Sequence, residues 1–306
     1  MIFVTEGDSV AGQHVVDGTT LSTEVAITID DIPGTPSRTV DGPAVASAIL
    51  AAFKKHHLTG VYGMMVGSFV QSTPTSRQVL RQWVDSGQLL ANHTWSHLDL
   101  VKVSADDFIA DVRQNESLLA TLMGQREWRY LRFPYLAEGD NEEKRRAVRD
   151  YLASHNYQTA QVTFDFFDYE WIDPYNRCLS KGRVTDAAWL RHSYVQNALY
   201  GLKIAQRLSL AVIGRQIKQV LLVHFGRIQA DVMDESLTAL EQQGVHFIDL
   251  RDALSDLVYS IDTRIVSQRS YTFLNQLRLQ KGMDNPARVQ ELYDLLPEAR
   301  LASICN

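Results

Sequence analysis

The chain has 306 residues, of which 45% are hydrophobic and 22% are charged, an ordinary composition for a globular protein. Its 30 Lys and Arg residues against 36 Asp and Glu residues give a net charge of −6 at pH 7, and no basic block follows the chain. Proteins that track a phosphate backbone carry such a block, so no nucleic acid is expected as a partner.

The N-terminal residues and the cysteines say little about location. Met1 to Glu6 lacks both a charged leader and a long apolar core, so we expect no secretory signal in this sequence. The longest apolar stretch, Ala44 to Phe53, is half the length of about 20 residues that crosses a bilayer, so no transmembrane segment is expected. Cys178 and Cys305 could pair, but one pair does not define a disulfide scaffold, and we expect two free thiols.

Apolar runs of strand length alternate along the chain with longer helical patterns, which predicts a mainly parallel sheet in an α/β fold, either a barrel or a doubly wound sheet. The predicted strands are Glu24–Ile29, Gly60–Val66, Gln88–Asn92, Trp128–Phe133, Tyr157–Phe164, Gln219–His224 and Val245–Ile248. The predicted helices are Pro43–Lys55, Ser76–Ser86, Ser104–Met123, Asn141–His155, Thr185–Ile213 and Val232–Gln243. Ser104, with Asp107 three residues later, is a helix start signal.

A change of pattern near Ser260 divides the chain. Two short amphipathic patterns follow it, Tyr271–Gln280 and Pro286–Leu295, and both predict helices. We therefore predict an N-terminal segment of residues 1–23, a main domain of residues 24–260 and a C-terminal helical extension of residues 261–306. The extension could pack on the domain or join two copies of the chain. Farther upstream, Asp173 to Asn176 is predicted to form a turn.

Two adjacent carboxylates, Asp30 and Asp31, stand where the first predicted strand ends. Ligands bind at this end of the strands in parallel α/β folds. Neighbouring side chains on an extended strand point to opposite sides, so both acids can face one site only if the strand ends and turns there. The structural alternative is a solvated loop or an Asx-turn before Pro33.

A histidine pair follows the third predicted strand. His93 and His97 are four residues apart, and on a helical turn both imidazoles would project from one face and could bind one metal ion. With one carboxylate from another strand end they would form a set of two His and one Asp, which catalytic zinc and non-haem iron both use.

Three further strand ends carry polar or aromatic side chains. Arg132 could hold a carboxylate in position and keep its pKa low. After Pro134 an extended backbone would leave the Tyr135 N–H free to stabilise an oxyanion. The segment from Asp165 to Trp171 interleaves acids and aromatic rings, as sites that hold a sugar ring do, although a core strand edge explains it nearly as well. His224, at the end of an apolar strand, could act as a general acid.

Taken together, these segments resemble the five ordered motifs of the NodB-homology polysaccharide deacetylases, carbohydrate esterase family 4. The matching stretches are Thr28–Asp31, His93–His97, Arg132–Tyr135, Asp165–Tyr169 and Leu222–His224, in the family's order over roughly residues 24–256. The resemblance implies a distorted (β/α) barrel of seven or eight strands with its site at the carboxyl-end mouth.

The resemblance also implies a role for each of several single residues. Asp30 would be the catalytic base, and Asp31, His93 and His97 would bind a divalent metal, Zn²⁺ first, with Co²⁺ or Ni²⁺ as alternatives. Arg132 would orient Asp30, the Tyr135 amide would donate to the oxyanion, Asp168 would brace the site and His224 would be the acid. Tyr135, Tyr169, Trp171 and Leu222 would contact the substrate, with Leu222 against the acetyl methyl group.

Three positions depart from the family pattern. Ile32 stands where Gly is usual, Ile29 where Phe is common and Tyr169 where Trp is common. None of them removes a metal ligand or a proton-transfer group, so the departures bear on substrate preference. The expected activity is hydrolysis of N-acetyl groups from an amino-sugar glycan, such as a chitooligosaccharide or peptidoglycan. The family's habit implies a periplasmic or extracellular location.

The residues leave two alternatives open. A small-molecule amidohydrolase on the same scaffold would act on an acyclic or ring amide. A carbohydrate-binding relative would keep the fold and lack turnover, although an intact set of proton-transfer and metal-binding residues argues against it.

Overall fold

A computed structural model describes residues 22–39, 41–283 and 296–306 of the chain, and seven strands run through this part. The strands are β1 (Thr23–Ile32), β2 (Tyr62–Met65), β3 (Leu89–Asn92), β4 (Tyr130–Leu131), β5 (Gln158–Thr159), β6 (Gln219–His224) and β7 (Val245–Ile248). All pairings between them are parallel. The parallel sheet that the alternating pattern predicts is confirmed.

The strand order is β5-β4-β3-β2-β1-β6, and β7 pairs with the first residues of β1. After β5 the chain crosses to β6, where Phe164 forms a parallel bridge with Leu221 and the Leu222 N–H donates to Phe164 O. This contact joins the two ends of the strand series. The fold is a distorted (β/α) barrel, as the motif resemblance implies, and its carboxyl-end mouth lies where β1, β3, β4 and β6 end.

Helices connect the strands and cover the sheet. They are α1 (Pro36–Thr39), α2 (Gly42–Lys55), α3 (Ser76–Asp85), α4 (Ala105–Met123), α5 (Glu142–Ser154), α6 (Ile172–Ser180), α7 (Val184–Ile213), α8 (Arg227–Gln242), α9 (Leu250–Leu254), α10 (Phe273–Gln280) and α11 (Glu298–Ser303). Ser104 caps α4 by accepting from the Asp107 N–H at 3.1 Å, as predicted. Helix α8 begins five residues before its predicted start. Among the described residues no helix combines the length and the apolar character needed to cross a membrane.

Strand β1 lies at the centre of the sheet, and none of its residues from Val25 to Ile32 exposes more than 4% of its surface. A central strand of a parallel sheet is covered by helices on both faces, which explains its run of Val, Ala and Ile. Each fully buried Val or Ile side chain contributes about 1.5–3 kcal/mol to the stability of the fold. The two aspartates at its end are therefore carried on a rigid element.

Other predicted elements differ from the structure in type or extent. Asp173 to Asn176 lies in α6 and is not a turn, because Pro174 stands in the first helical turn, where its missing N–H would have no partner anyway. The predicted strand Tyr157–Phe164 is interrupted after β5, where the Gln161 N–H turns back to Thr159 O. The chain pairs with β6 at Thr163 and Phe164, whose N–H groups both donate to Val220 O.

The C-terminal extension packs on the barrel through α10. Phe273, Leu274 and Leu277 of this helix are buried against Val212, Ile217 and Val258. The predicted helix Pro286–Leu295 lies outside the described residues. Cys178 of α6 and Cys305 form a disulfide, so the expectation of two free thiols is wrong. The fold brings together two cysteines that are 127 residues apart in the chain, which no local pattern reveals.

Candidate active site

The end of β1 carries both aspartates into one site because the strand bulges there. Ile29 pairs with Gly63 and Ile32 pairs with Met65, so two residues of β1 lie opposite a single residue of β2. Asp31 takes a positive φ of 66°, a conformation that Asp adopts more readily than most residues. Asp30 and Asp31 therefore line one pocket, as the sequence requires for a shared site. The strand continues to Ile32, however, and does not end at Ile29.

The histidine pair lies on an irregular loop after β3, so the predicted helical turn is wrong. Thr94 and His97 have positive φ angles of 62° and 57°. Buried amides hold this loop: the Asn92 side chain accepts from the Thr94 N–H at 2.8 Å, and the Asn115 side chain donates to Thr94 O at 3.0 Å. These bonds replace the helical ones that would have placed the two imidazoles on one face.

A neighbouring glycine leaves room for the same loop. A Cβ atom at Gly67 would lie 2.2 Å from the Trp95 ring, so only glycine allows this close approach. The Ser96 N–H also donates to the Asp111 side chain at 2.8 Å. The loop is thus fixed from both sides, which holds the rings of His93 and His97 with their centroids 4.8 Å apart.

Asp31, His93 and His97 form a candidate metal site. Each offers one ligand atom, and these atoms lie within 4.8 Å of one another. Asp31 Oδ1 is 3.8 Å from His93 Nε2 and 3.4 Å from His97 Nε2. Ligands that bind one Zn²⁺ ion at about 2.0–2.2 Å cannot be farther apart than twice that distance. Both measured separations meet this limit.

The two imidazoles have the protonation state that a metal requires. Burial lowers the pKa of His93 and of His97 to about 4, so both rings are neutral at pH 7. His93 Nδ1 donates to Arg132 O at 2.8 Å, which leaves the lone pair on Nε2, the atom that faces Asp31. The donor chemistry therefore fits a divalent metal ion.

Asp30 is held by Arg132. The guanidinium NH1 donates to the two carboxylate oxygens at 2.9 and 3.0 Å, NH2 donates to Thr28 Oγ1, and Nε donates to Ala160 O. Burial raises the pKa of Asp30, and the opposing effect of Arg132 does not cancel it. Arg132 thus orients the carboxylate as expected, but the expectation that it keeps the pKa low is wrong, because desolvation is the larger effect.

His224 pairs in register with Asp30 on the neighbouring strand and is held by Asp168. Its Nδ1 is 2.7 Å from Asp168 Oδ1, and its backbone N–H donates to Oδ2 at 2.8 Å. Burial alone would lower the pKa of His224, but the charge of Asp168 and this hydrogen bond raise it to about 9. The ring is therefore protonated at pH 7, with its Nε2–H available to the pocket.

Tyr135 lines the pocket with its ring 4.7 Å from that of His97. Its backbone is left-handed, at φ 58° and ψ 13°, so the predicted extended backbone after Pro134 is wrong. The N–H groups of Leu136 and Ala137 close the turn by donating to Phe133 O and Pro134 O. Within the described part of the chain, the Tyr135 N–H has no such acceptor.

The pocket has a volume of about 270 Å³, slightly below the roughly 300 Å³ at which drug-sized ligand sites begin. Its other walls are Phe133, Leu136, Asp165, Phe167, Tyr169, Leu222, Ser270, Tyr271, Thr272 and Asn275. Tyr169 and Leu222 both line the pocket. Trp171 does not reach the pocket, because its ring is fully buried against Tyr194 and donates to Ser193 Oγ at 2.8 Å.

Sequence reasoning missed several residues of this site. Gln229 and Tyr194 both donate to Asp168 Oδ2, at 2.7 and 3.4 Å. Asp165 is buried beside them, and its burial raises its pKa to about 6. Asn275 comes from the C-terminal extension. The one available signal was a polar side chain inside an apolar helical pattern, as Gln229 is in α8 and Asn275 is in α10.

Comparison with known proteins gives the same family. The sequence model of the family described as Polysaccharide deacetylase matches residues 17–160. The chain is 25% identical over 160 residues to a chitin deacetylase of Arthroderma benhamiae, covering 52% of this chain and 39% of that protein. It is 25% identical to a peptidoglycan-N-acetylglucosamine deacetylase of Bacillus cereus, over 49% of this chain and 47% of the relative. The chain thus spans less than half the length of these two relatives.

Two solved structures show the fold. The chitin deacetylase of Colletotrichum lindemuthianum superimposes with a TM-score of 0.53 at 20% identity, over 76% of this chain and 88% of that one. BA3943 of Bacillus anthracis, described as a CE4 family pseudoenzyme, has a TM-score of 0.53 at 16% identity, over 78% of this chain and 67% of its own. The fold is thus shared by an enzyme and a pseudoenzyme. Over residues 17–160 the chain is thus similar to the polysaccharide deacetylase family, and its fold is that of the two solved structures.

Proposed function

We propose that the protein is a metal-dependent hydrolase that removes N-acetyl groups from an amino-sugar glycan. The observation that carries this proposal is the pocket, which contains three candidate metal ligands together with a buried carboxylate and a protonated imidazole. Hydrolysis of an amide needs activation of the carbonyl, a base for the water and an acid for the leaving amine. This pocket offers one group for each.

Asp31, His93 and His97 would hold the metal ion, for which we propose Zn²⁺. A divalent cation bound there supplies a Lewis acid that polarises the acetyl carbonyl and activates a water molecule. The neutral imidazoles and the carboxylate are ligands that suit zinc. Co²⁺ and Ni²⁺ accept the same ligand set, so metal content decides among them.

Asp30 is proposed as the base that takes the proton of the attacking water. Its carboxylate Oδ2 lies 3.5 Å from His93 Nε2, beside the proposed metal ligands. The raised pKa makes this carboxylate a stronger base than an exposed aspartate. Arg132, bound to both of its oxygens, fixes its orientation.

His224 is proposed as the acid that protonates the leaving amine. Its pKa of about 9 keeps the proton on the ring at neutral pH until the amine develops charge. Asp168 holds the ring through Nδ1 and is in turn held by Gln229. The Tyr135 N–H is the proposed donor to the oxyanion, while Leu222 faces the acetyl methyl group and Tyr169 packs against the His224 ring at 5.3 Å.

Two alternatives are outcomes of the same test. The small pocket volume would also suit a small-molecule amidohydrolase. A non-catalytic carbohydrate-binding protein is the other, since the fold occurs in the pseudoenzyme BA3943, of which a mutant has "restored enzymatic activity". The complete set of base, acid and metal-binding candidates in this pocket favours turnover.

A periplasmic or extracellular location is part of the proposal. The Cys178–Cys305 disulfide supports it, because disulfides persist mainly in oxidising compartments. Relatives named for peptidoglycan or chitin, which lie outside the cell membrane, support it as well.

The test is acetate release from N-acetylglucosamine oligomers, peptidoglycan fragments and a simple acyclic amide, each with and without a chelator. We expect release from a sugar that stops with the chelator and returns with added Zn²⁺. Release from the acyclic amide alone would replace the proposal by the amidohydrolase. Glycan binding without release from any substrate, at full metal content, would support the binding protein.

A further inference from the structure

We infer that Asn275, a residue of the C-terminal extension, binds the substrate by accepting a hydrogen bond from a hydroxyl group of the sugar ring that carries the acetamide. The inference rests on the proposed function and adds a specificity residue to it. None of the five sequence motifs contains this position, since it lies 51 residues beyond His224, the last residue of the fifth motif.

The first observation is a buried amide that lines the pocket. Asn275 lines the same pocket as Asp30, His97 and His224, and its relative exposure is only 9%. Its side-chain Oδ1 is buried, and no donor in the described part of the chain reaches it. Buried polar atoms are nearly always hydrogen-bonded in folded proteins, so such an atom in a pocket indicates that a ligand supplies the donor.

The second observation is that the chain holds this residue rigidly. The next residue, Gln276, donates to Glu138 Oε1 at 3.0 Å and accepts from Thr263 Oγ1 at 2.7 Å, all of them buried. The Phe273 N–H donates to Val162 O at 2.6 Å, and the Phe273 ring stacks on Tyr259 at 5.5 Å. Asn275 therefore has a fixed position before any substrate binds.

The same hydrogen-bond network connects α10 to the loop that carries Tyr135. Glu138 is three residues beyond Tyr135, and it also accepts from Gln161 at 2.9 Å and from Arg149. Its burial raises its pKa, but the two arginines and two amides around it lower the pKa below the ordinary value, so it stays charged. The wall that carries Asn275 and the wall that carries Tyr135 are thus parts of one rigid unit.

A ring hydroxyl is the donor that fits this place. Oδ1 is an acceptor and needs a donor, which excludes the acetyl carbonyl and the acetyl methyl group. Ser270, Tyr271 and Thr272 continue the same polar wall next to it, as a hydroxyl-rich ligand requires. The amide N–H of the substrate is the other possible donor, and the test below separates it from a hydroxyl group. A ring hydroxyl, as inferred here, makes the substrate a sugar amide and not a bare acyclic amide.

The test compares Asn275→Leu and Asn275→Ala with Gln280→Ala, a matched change on the same helix whose side chain donates to Asp262 O away from the pocket. The substrate is the N-acetylglucosamine trimer. Acetohydroxamate, which carries an acetyl group and metal-binding oxygens but no sugar, is used as an inhibitor of the same reaction. Metal content and melting temperature are measured for every variant.

We expect kcat/KM for the trimer to fall roughly 3- to 10-fold in both Asn275 variants, the usual effect of one hydrogen bond between uncharged groups, with most of the change in KM. The inhibition constant of acetohydroxamate should stay within about twofold, and Gln280→Ala should change neither. Asn275→Leu should melt at the same or a higher temperature, because it removes a buried polar atom that lacks a donor.

Several results would overturn the inference. An unchanged kcat/KM for the trimer would remove Asn275 from the binding site. A lower melting temperature together with equal losses for trimer and acetohydroxamate would assign Asn275 a structural role. An effect on acetohydroxamate alone would place it at the amide N–H. If the unaltered protein releases acetate from no glycan, the proposed function itself fails, and the inference fails with it.

Discussion

Two buried groups of the pocket, Asp30 and His224, each have a charged partner, yet different effects set their pKa values. Asp30 is buried against Arg132, and His224 is buried against Asp168. Both side chains are desolvated by burial. Burial raises the pKa of Asp30 despite Arg132, whereas Asp168 raises the pKa of His224 despite burial. The first group becomes a better base and the second keeps its proton.

The difference lies in the neighbouring charges. Asp31, a second carboxylate beside Asp30, raises the pKa of Asp30 and so adds to the effect of burial. The same two aspartates add to the effect of Asp168 on His224 and raise the pKa of the imidazole. A cluster of carboxylates therefore favours the protonated form of both groups.

The largest effect is expected for Asp30→Asn. The amide keeps the shape but cannot take a proton, so turnover should fall about 10²- to 10⁴-fold, the usual contribution of a general base. Metal content should stay at the unaltered level, because Asp30 is not a proposed ligand. Acetate release and elemental analysis measure the two quantities. Near-full activity would remove Asp30 from the base role.

The acid side should respond to Asp168→Asn. A hydrogen bond to a charged group contributes about 1.5–3 kcal/mol, so kcat/KM should fall roughly 10- to 150-fold. In the unaltered protein kcat/KM should decline as the pH rises through about 9, where His224 loses its proton. The variant keeps the burial that lowers this pKa and loses the charge that raises it, so the decline should move down by more than about one pH unit.

The shift of this decline in Asp168→Asn is measured from the pH profile of kcat/KM, and Asp231→Asn is the control variant. Asp231 lies on α8 near Gln229 but accepts from Tyr175, outside the pocket. The control should keep the alkaline limb at about pH 9. A limb that stays in place in Asp168→Asn would show that another group controls it.

Arg132→Lys should have a smaller effect. Lysine keeps the positive charge beside Asp30 but cannot reproduce the four bonds that the guanidinium makes to Asp30, Thr28 and Ala160. Loss of one charge-assisted bond corresponds to roughly a tenfold fall in kcat. The alkaline limb of the pH profile should not move, because His224 is untouched. A shift of the alkaline limb would mean that the charge state of Asp30 and the pKa of His224 are coupled more strongly than their contacts indicate.

The smallest effect is expected for Tyr194→Phe. Its hydroxyl donates to Asp168 at 3.4 Å, a long bond, whereas Gln229 donates to the same oxygen at 2.7 Å. We expect less than about a threefold change in kcat/KM for Tyr194→Phe and a larger change for Gln229→Leu. Steady-state kinetics of the two variants side by side give the ranking. The reverse order would make the tyrosine the main support of Asp168.

The parallel sheet, six helices of the main domain and the order of the site segments could be predicted from the sequence, because hydrophobic period and strand-end placement are local signals. The shape of the backbone at the site could not. Asp31, Thr94, His97 and Tyr135 all have positive φ angles. Buried amides such as Asn115 hold the loop that carries His97, and these contacts come from distant parts of the chain.

The net pKa of Asp30 was beyond the sequence for a similar reason. The pairing with Arg132 follows from the two strand ends, but the balance between partner and burial depends on the whole fold. The place of Asn275 and the disulfide were hidden because both depend on contacts of the extension with residues more than 100 positions away, such as the bond from Gln276 to Glu138. For Trp171 the sequence predicted a substrate contact that the structure does not have. Its ring is buried in the core, although the residue belongs to the aromatic run that suggested a sugar site.

The disulfide divides the pocket by chain connectivity. The covalent loop from Cys178 to Cys305 contains His224 and Asn275, whereas Asp30, Asp31, His93 and His97 all lie before it. Reduction of the disulfide therefore opens the covalent loop that contains the proposed acid and the proposed sugar contact. It breaks no bond in the segment that contains the proposed base and the proposed metal ligands.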